Sequence, residues 1–213
     1  MFSRTYDLLM ADVDYEALYL WLKPYLSEDD LIADVGCGSG YLLKELLRAG
    51  HRAIGIDIDE SMLALARERL LEAELPAALY VHDIREPFES RFDVLIGVFD
   101  VINYFKGFRS VFKNLFQALN DGGLLIFDAY KESVLKDYAG YREEGRKPIR
   151  YTWTIETKKE RIEHVVSVGK NSDVIVQYVH KIADLKEALQ ELGFDVRVRD
   201  GIDPRKHYVI ARK

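Results

Sequence analysis

Three aspartates and three glycines near the start of the chain have the residue types and spacing of a ligand site. Gly36, Gly38 and Gly40 follow the apolar run Leu31-Ile-Ala-Asp34-Val35. Lacking a Cβ, they let the backbone turn sharply and let a ligand lie directly against it. Asp34 closes to the turn, Asp57 ends Ala53-Ile-Gly-Ile-Asp57, and Asp83 follows Leu79-Tyr-Val-His82. A carboxylate about twenty residues beyond a glycine turn is placed to accept two ribose hydroxyls. The same residues without a ligand would be a tight strand-to-helix turn and solvated acids at strand ends. Three such acids in succession after one glycine turn argue for the ligand. Cys37, the one cysteine, reads as a small turn residue because no base neighbours it, and it excludes an intramolecular disulfide.

These residues need a scaffold of alternating strands and helices. Strands are predicted over 31–35, 52–57, 78–82, 92–99 and 124–129. The near-continuous apolar run from Phe92 to Phe99 suits a sheet covered on both faces. Helices are predicted over 14–25, from Tyr41 to the Gly50 stop, over 60–72 and over 107–119, each from apolar residues at helical spacing. Tyr6 to Met10 is apolar enough to cover either the ligand site or a sheet edge. Asn120-Asp-Gly-Gly123 is a turn signal. Residues 131–147 read as a short helix and loop. Three alternating runs at 151–156, 162–168 and 174–179 predict a separate antiparallel sheet. A helix from Asp184, with Asp184 and Glu187 as a capping box, then precedes strands over 194–199 and 207–211.

The chain has 213 residues and a formal net charge of −6, which suits one domain. Residues 1–130 hold 12 basic and 22 acidic groups, so an acidic core argues against a nucleic-acid coat. No apolar stretch approaches the ~20 residues of a membrane span, and no leader is visible, so a cytoplasmic protein is expected. No His/Cys ligand cluster stands in the sequence, and no metal is expected.

Asp34-Val-Gly-Cys-Gly-Ser-Gly40, Asp57, Asp83 and Asp121-Gly-Gly-Leu124 together resemble the class I S-adenosylmethionine-dependent methyltransferase family, over roughly residues 30–130 and 182–213. Asp100-Val-Ile-Asn-Tyr104 and the strand-rich insertion resemble its small-molecule branch. The resemblance implies a Rossmann-like α/β fold. Its seven-stranded open sheet has order 3-2-1-4-5-7-6 with the last strand antiparallel, and the antiparallel β insertion spans 150–179. It implies S-adenosyl-L-methionine as cofactor and S-adenosyl-L-homocysteine as product. It assigns the cofactor to Tyr6, Asp34, Gly36, Cys37, Gly38, Gly40, Asp57, Ile58, Met62, Asp83, Ile84, Phe99 and Asp100. Asp57 would take the ribose hydroxyls, Asp83 and the Ile84 amide the adenine edge, and Ile58 and Met62 the faces of the ring.

The implied reaction is in-line methyl transfer to a small or medium-sized acceptor. A base is needed only if the acceptor keeps its proton, and Tyr104, Tyr130 and His180 stand as acceptor-site residues; Tyr178 is a further possible base. The insertion is expected to cover the acceptor, with Tyr151, Trp153 and Tyr178 lining the pocket. The working state is a monomer or homodimer. A tRNA or protein methyltransferase, a non-catalytic cofactor-binding protein and a nicotinamide-dependent oxidoreductase stand as alternatives. The Gly-Cys-Gly-Ser-Gly turn departs from the dinucleotide-binding Gly-x-Gly-x-x-Gly. Phe99-Asp-Val-Ile102 stands where amide and adenine methyltransferases carry Asn-Pro-Pro-Tyr.

Overall fold

In the computed structural model, residues 2–76, 78–147 and 149–213 are described, with the side chains of Phe2 and Ser3 left aside. The chain opens with α1 (Phe2–Met10) and α2 (Tyr15–Leu22), the latter capped by Asp14, whose carboxylate accepts the Ala17 amide. Pro24 turns its end into a short 3-10 segment, Lys23–Tyr25. Then come β1 (Leu31–Val35), α3 (Tyr41–Arg48), β2 (Arg52–Asp57), α4 (Glu60–Glu72), β3 (Leu79–Val81), β4 (Phe92–Gly97), α5 (Arg109–Ala118) and β5 (Leu119–Tyr130). A one-turn helix α6 (Val134–Asp137) leads into β6 (Tyr141–Gly145), β7 (Tyr151–Lys158), β8 (Arg161–Val168) and β9 (Asn171–Tyr178). The chain closes with α7 (Ile182–Glu191), β10 (Asp195–Arg199) and β11 (Lys206–Arg212).

Seven strands form one sheet in the order β10-β11-β5-β4-β1-β2-β3. β11 runs antiparallel to both neighbours, and the pairs from β5 across to β3 are parallel. Side chains alternate between its faces, as the strand period of two requires. Leu95, Phe127 and Val209 pack toward Phe112, Leu115 and Leu189 on one side. Val94, Ile96, Ile126 and Ile210 share the other with Leu18, Leu22, Leu43 and Leu46. The strand order is the one the family resemblance implies.

Four local differences from the sequence expectation have physical causes. β5 starts at Leu119, which pairs with Phe92, and the ladder resumes at Val94–Leu124. The Asn120–Gly123 turn is therefore an irregularity inside a strand, with Gly122 at φ +81°. β4 ends at Gly97 because Phe99 and Asp100 leave it in the left-handed region, at φ +61° and +66°. α7 begins at Ile182 after an extended Lys181, so Asp184 lies inside the first turn and caps nothing. Its charge still complements the helix dipole there.

The fourth difference is β6. Tyr141-Arg-Glu-Glu-Gly145 is too charged to read as a strand, yet it pairs along one side with β7. It is the edge of a four-stranded antiparallel sheet, β6-β7-β8-β9, and charge on an edge strand blocks further pairing. The sheet buries Ile155 and Ile162 against Tyr130, Val134 and Val179. Asn103, fully buried, fastens it to the core. Its Nδ2 donates to the Tyr178 carbonyl at 2.6 Å and its Oδ1 accepts the Tyr130 amide at 3.2 Å.

Candidate active site

β1 and β2 deliver their carboxylates to one cavity of about 460 Å³ at the carboxyl end of the sheet. That volume is within the range of small-molecule sites. The glycine turn forms its floor. The Gly36 and Cys37 amides donate to the Ile56 carbonyl at 2.7 and 3.0 Å, pinning the turn to β2. A Cβ on Gly36 would stand 2.6 Å from Val101 Cγ2, and one on Gly40 would stand 2.9 Å from Ala66 Cβ. Gly38 differs: a Cβ there meets nothing within 4 Å. Gly36 and Gly40 are therefore packed against protein, while Gly38 leaves open space for a ligand.

Asp57 ties the turn to the next helix. Its Oδ2 accepts the Gly38 amide at 2.8 Å and its Oδ1 the Asp59 amide at 2.9 Å. Burial raises its pKa above the usual carboxylate value, with those two amides pulling the other way. Each oxygen keeps a second lone pair for a ligand hydroxyl. Asp34 is only 3 % exposed, and its Oδ2 has no hydrogen-bond partner. Burial first, then the Asp57 charge, push its pKa up to about 7. Such an orphaned acceptor beside an open glycine suits a ligand that brings hydrogen-bond donors.

The Asp34 shift carries a pH dependence. A carboxyl whose folded pKa is raised stabilises the fold below its unfolded value, near 4, and loses that stabilisation as pH rises through the folded value, about 7 here. The ligand-free protein is expected to lose stability between those limits, and Asp34→Asn to flatten that slope. Thermal melts of both proteins over this range decide it; parallel slopes would sink the assignment.

Along the same wall, Ile58 is 58 % exposed and Met62 is buried, both lining the cavity with His82, Asp83 and Ile84. Asp83 is engaged by Arg85, whose Nε donates to Oδ1 and Oδ2 at 2.9 and 2.8 Å, and its pKa is lowered by that bond. The lining also includes the aromatic residues Tyr6, Tyr15, Phe99, Tyr104 and Phe105, with Met10 among them. Tyr15 stacks on Tyr41 at 4.6 Å, and the Arg69 guanidinium lies 3.5 Å from the Tyr41 ring centre. Arg69 also pairs with Asp7 at 2.8 Å and donates to the Ser39 carbonyl, which joins α1 to the glycine turn. Tyr6 to Met10 thus covers the ligand cavity. Tyr15, Tyr41 and Arg69 escaped sequence reading because helical aromatics and one arginine resemble ordinary surface and core residues.

Several sequence-expected residues stand elsewhere. Gly40, Asp100, Tyr130 and His180 do not line the cavity. His180 Nε2 donates to the Phe105 carbonyl at 2.9 Å, and its ring meets Phe108 edge-on at 4.7 Å. Burial lowers its basicity, and its ring nitrogen is engaged by a backbone carbonyl of the cavity lining. The Tyr130 hydroxyl donates to Asp100 Oδ2 at 2.7 Å. Tyr104 does line the cavity and is 45 % exposed, but crowding at its hydroxyl and then Asp100 and Asp57 hold it protonated. The Cys37 thiol is pushed well up by burial and by Asp34 and Asp57, as befits a turn residue.

The insertion aromatics do not line the cavity either. The Tyr151 hydroxyl donates to Glu143, and Trp153 Nε1 donates to His164 Nδ1 at 3.2 Å. Tyr178 lends its carbonyl to Asn103.

A second cluster lies behind Phe99. Asp128 accepts the Phe99 amide at 2.9 Å and the Asp100 amide at 2.7 Å. Lys206 contacts Asp100 and lies 3.3 Å from Asp128. Left-handed φ at two successive non-glycine residues costs on the order of 1–2 kcal/mol each, and the Asp128 carboxylate holds them there. Asp128 was visible in the sequence as one more acid at a strand end; Lys206 carried no signal, since its partners come from the turn after β4 and from β5.

Residues 32–123 match the family model described as a methyltransferase domain. A putative methyltransferase of Bacillus subtilis is 32 % identical over 134 residues, covering 61 % of this chain. The chain spans 54 % of that relative's length. A putative methyltransferase of a Geobacillus species is 27 % identical over 92 % of this chain and 88 % of its own. The crystal structure of an S-adenosylmethionine-dependent methyltransferase from Clostridium acetobutylicum superposes with a TM-score of 0.83, at 19 % identity, over 99 % of this chain and 97 % of that one. Residues 32–123 are a methyltransferase domain by the family model, and the chain has the fold of the solved S-adenosylmethionine-dependent methyltransferase. The family's matched segment runs from β1 through the glycine turn and β4 into the irregular start of β5, and so holds Asp34, Gly38, Asp57 and Asp83. Among the described residues no helix is long and apolar enough to cross a membrane, and no group of three or more His, Cys, Asp or Glu is placed to hold a metal.

Proposed function

We propose that the protein transfers a methyl group from S-adenosyl-L-methionine to a small or medium-sized acceptor by in-line displacement. The carrying observation is Asp57 and Gly38 at one end of the cavity: a carboxylate with free lone pairs beside a glycine whose Cβ direction is empty. The residues fit the cofactor. Asp57 accepts the ribose hydroxyls in charge-assisted bonds. Ile58 and Met62 flank the adenine, with the Ile84 amide and Asp83 at its edge once Arg85 yields. The Gly38 turn takes the amino-acid end, and Asp34 orients it.

The cofactor supplies a methyl group already activated by its positive sulfur. What the chain adds is alignment and exclusion of water, through Tyr6, Phe99 and Tyr104. With Tyr104 held protonated and His180 turned to Phe105, neither of these two stands as a base at this wall. The acceptor atom in this reading offers its lone pair without help. The β6–β9 sheet, which grips the Val101–Tyr104 turn through Asn103, belongs to the acceptor side. We place this activity in the cytoplasm, in a monomer or homodimer.

Calorimetric titration is expected to show binding of S-adenosylhomocysteine and none of NAD. Asp57→Ala is expected to weaken that binding by about 1–3 kcal/mol, the scale of charged hydrogen bonds. A folded variant with unchanged affinity removes Asp57 from the site. A methyl-transfer screen against metabolite pools and RNA, read by mass, identifies the acceptor.

A further inference from the structure

The cluster behind Phe99 has an unbalanced charge. Asp100 and Asp128 supply two carboxylates and Lys206 one ammonium, and among the described residues their ion pairs are with Lys206 alone. All three side chains are buried, at 15 % exposure or less. With both carboxylates ionised the net charge is one negative, in a region that water screens little. Tyr130 donates to Asp100 without altering that balance. The cluster borders the cavity, because Asp128 accepts at 2.9 Å the amide of Phe99, which lines it, and Asp100 is the next residue along the chain. On that side the Phe99 ring lines the cavity, and Lys206 Nζ sits 5.5 Å from the ring centre.

Resting on the reading of this cavity as a cofactor site, we propose that the Asp100–Asp128–Lys206 cluster is the counter-charge for the cofactor's positive sulfur. Its consequence is selectivity. S-adenosylmethionine carries a positive, methylated sulfur and S-adenosylhomocysteine a neutral one without the methyl, while the two share the nucleoside and amino-acid ends. A buried negative charge favours the first and does nothing for the second. Product therefore leaves a site that still attracts the next cofactor molecule. The effect needs no contact between Asp100 and ligand, which agrees with Asp100 lying outside the cavity lining. The cluster acts through its field and through the position it gives Phe99; it does not touch the reacting atoms.

The test compares three probes by titration calorimetry at low salt: S-adenosylmethionine, S-adenosylhomocysteine, and sinefungin, which bears an ammonium in place of the methylated sulfur. Asp100→Asn keeps the size, can still accept from Tyr130, and tolerates a left-handed φ. Relative to S-adenosylhomocysteine, the dissociation constants of both cationic probes are expected to rise by about fivefold or more, a moderate fraction of the Coulomb interaction across a few ångströms of protein. Asp128→Asn reads the same ratio if the first variant does not fold. Equal weakening of all three probes, or no weakening of any, overturns the proposal. A wild-type protein that binds none of the three instead overturns the cofactor reading beneath it.

Discussion

Gly38→Val is expected to abolish S-adenosylhomocysteine binding while leaving a folded protein. Within the chain the new side chain meets little, since the Cβ direction is empty to 4 Å. The conformation, at φ +52°, is unfavourable for a branched side chain by on the order of 1–2 kcal/mol, which a domain of this size survives. What the isopropyl group fills is the space from which a ligand reaches the Gly38 backbone and the Asp57 oxygens. Gly36→Val is the internal control. There the Cβ would stand 2.6 Å from Val101, so the substitution acts on stability first. Calorimetric titration and thermal melts on both variants separate the two glycines. Normal affinity in Gly38→Val would make the turn structural only.

That separation marks the limit of reading such a motif from sequence. The three glycines look equivalent as letters, and their types and spacing were enough to place the turn, β1, β2 and α4. The bounds of β2 and α4 came out as observed because Asp57, Asp59 and Glu72 end or begin them by local chemistry. Which glycine faces the ligand depends on Val101 and Ala66, residues far along the chain. The same reason hid Arg69, whose partners Asp7, Ser39 and Tyr41 meet only after folding.

His180 is the converse case. It lies where the insertion rejoins the core, but its Nε2 is spent on Phe105. The insertion itself was legible as three alternating strands, and its fourth strand was not. An edge strand solvated on one side can carry Arg142, Glu143 and Glu144 where an inner strand cannot.

Lys206→Met tests the part of the site that sequence did not reveal, and its expected cost is the largest of any single substitution considered. Lys206 is 6 % exposed and stands opposite Tyr130 in the β5–β11 ladder. Burial opposes its charge, but Asp100 and Asp128 outweigh that and hold the ammonium protonated well above its ordinary range. Removing it leaves two buried carboxylates facing each other. Breaking a buried pair from one side costs about 3–5 kcal/mol.

The loss depends on pH in a definite sense. Asp128 is already raised in the folded protein, by burial first, with Lys206 pulling it down. Without the ammonium it rises further, so the variant's fold is favoured below the unfolded carboxylate value, near 4, and weakens as pH climbs through the folded value. The stability gap between wild type and variant is therefore expected to be small at about pH 4.5 and to open toward neutrality. Urea unfolding at the two ends of that range measures it. Methionine fills much of the lysine stem's volume, so a cavity contributes little to the difference. A gap that is the same at both pH values would mean that Lys206 stabilises by packing alone, and that Phe99 and Asp100 keep their left-handed turn without it.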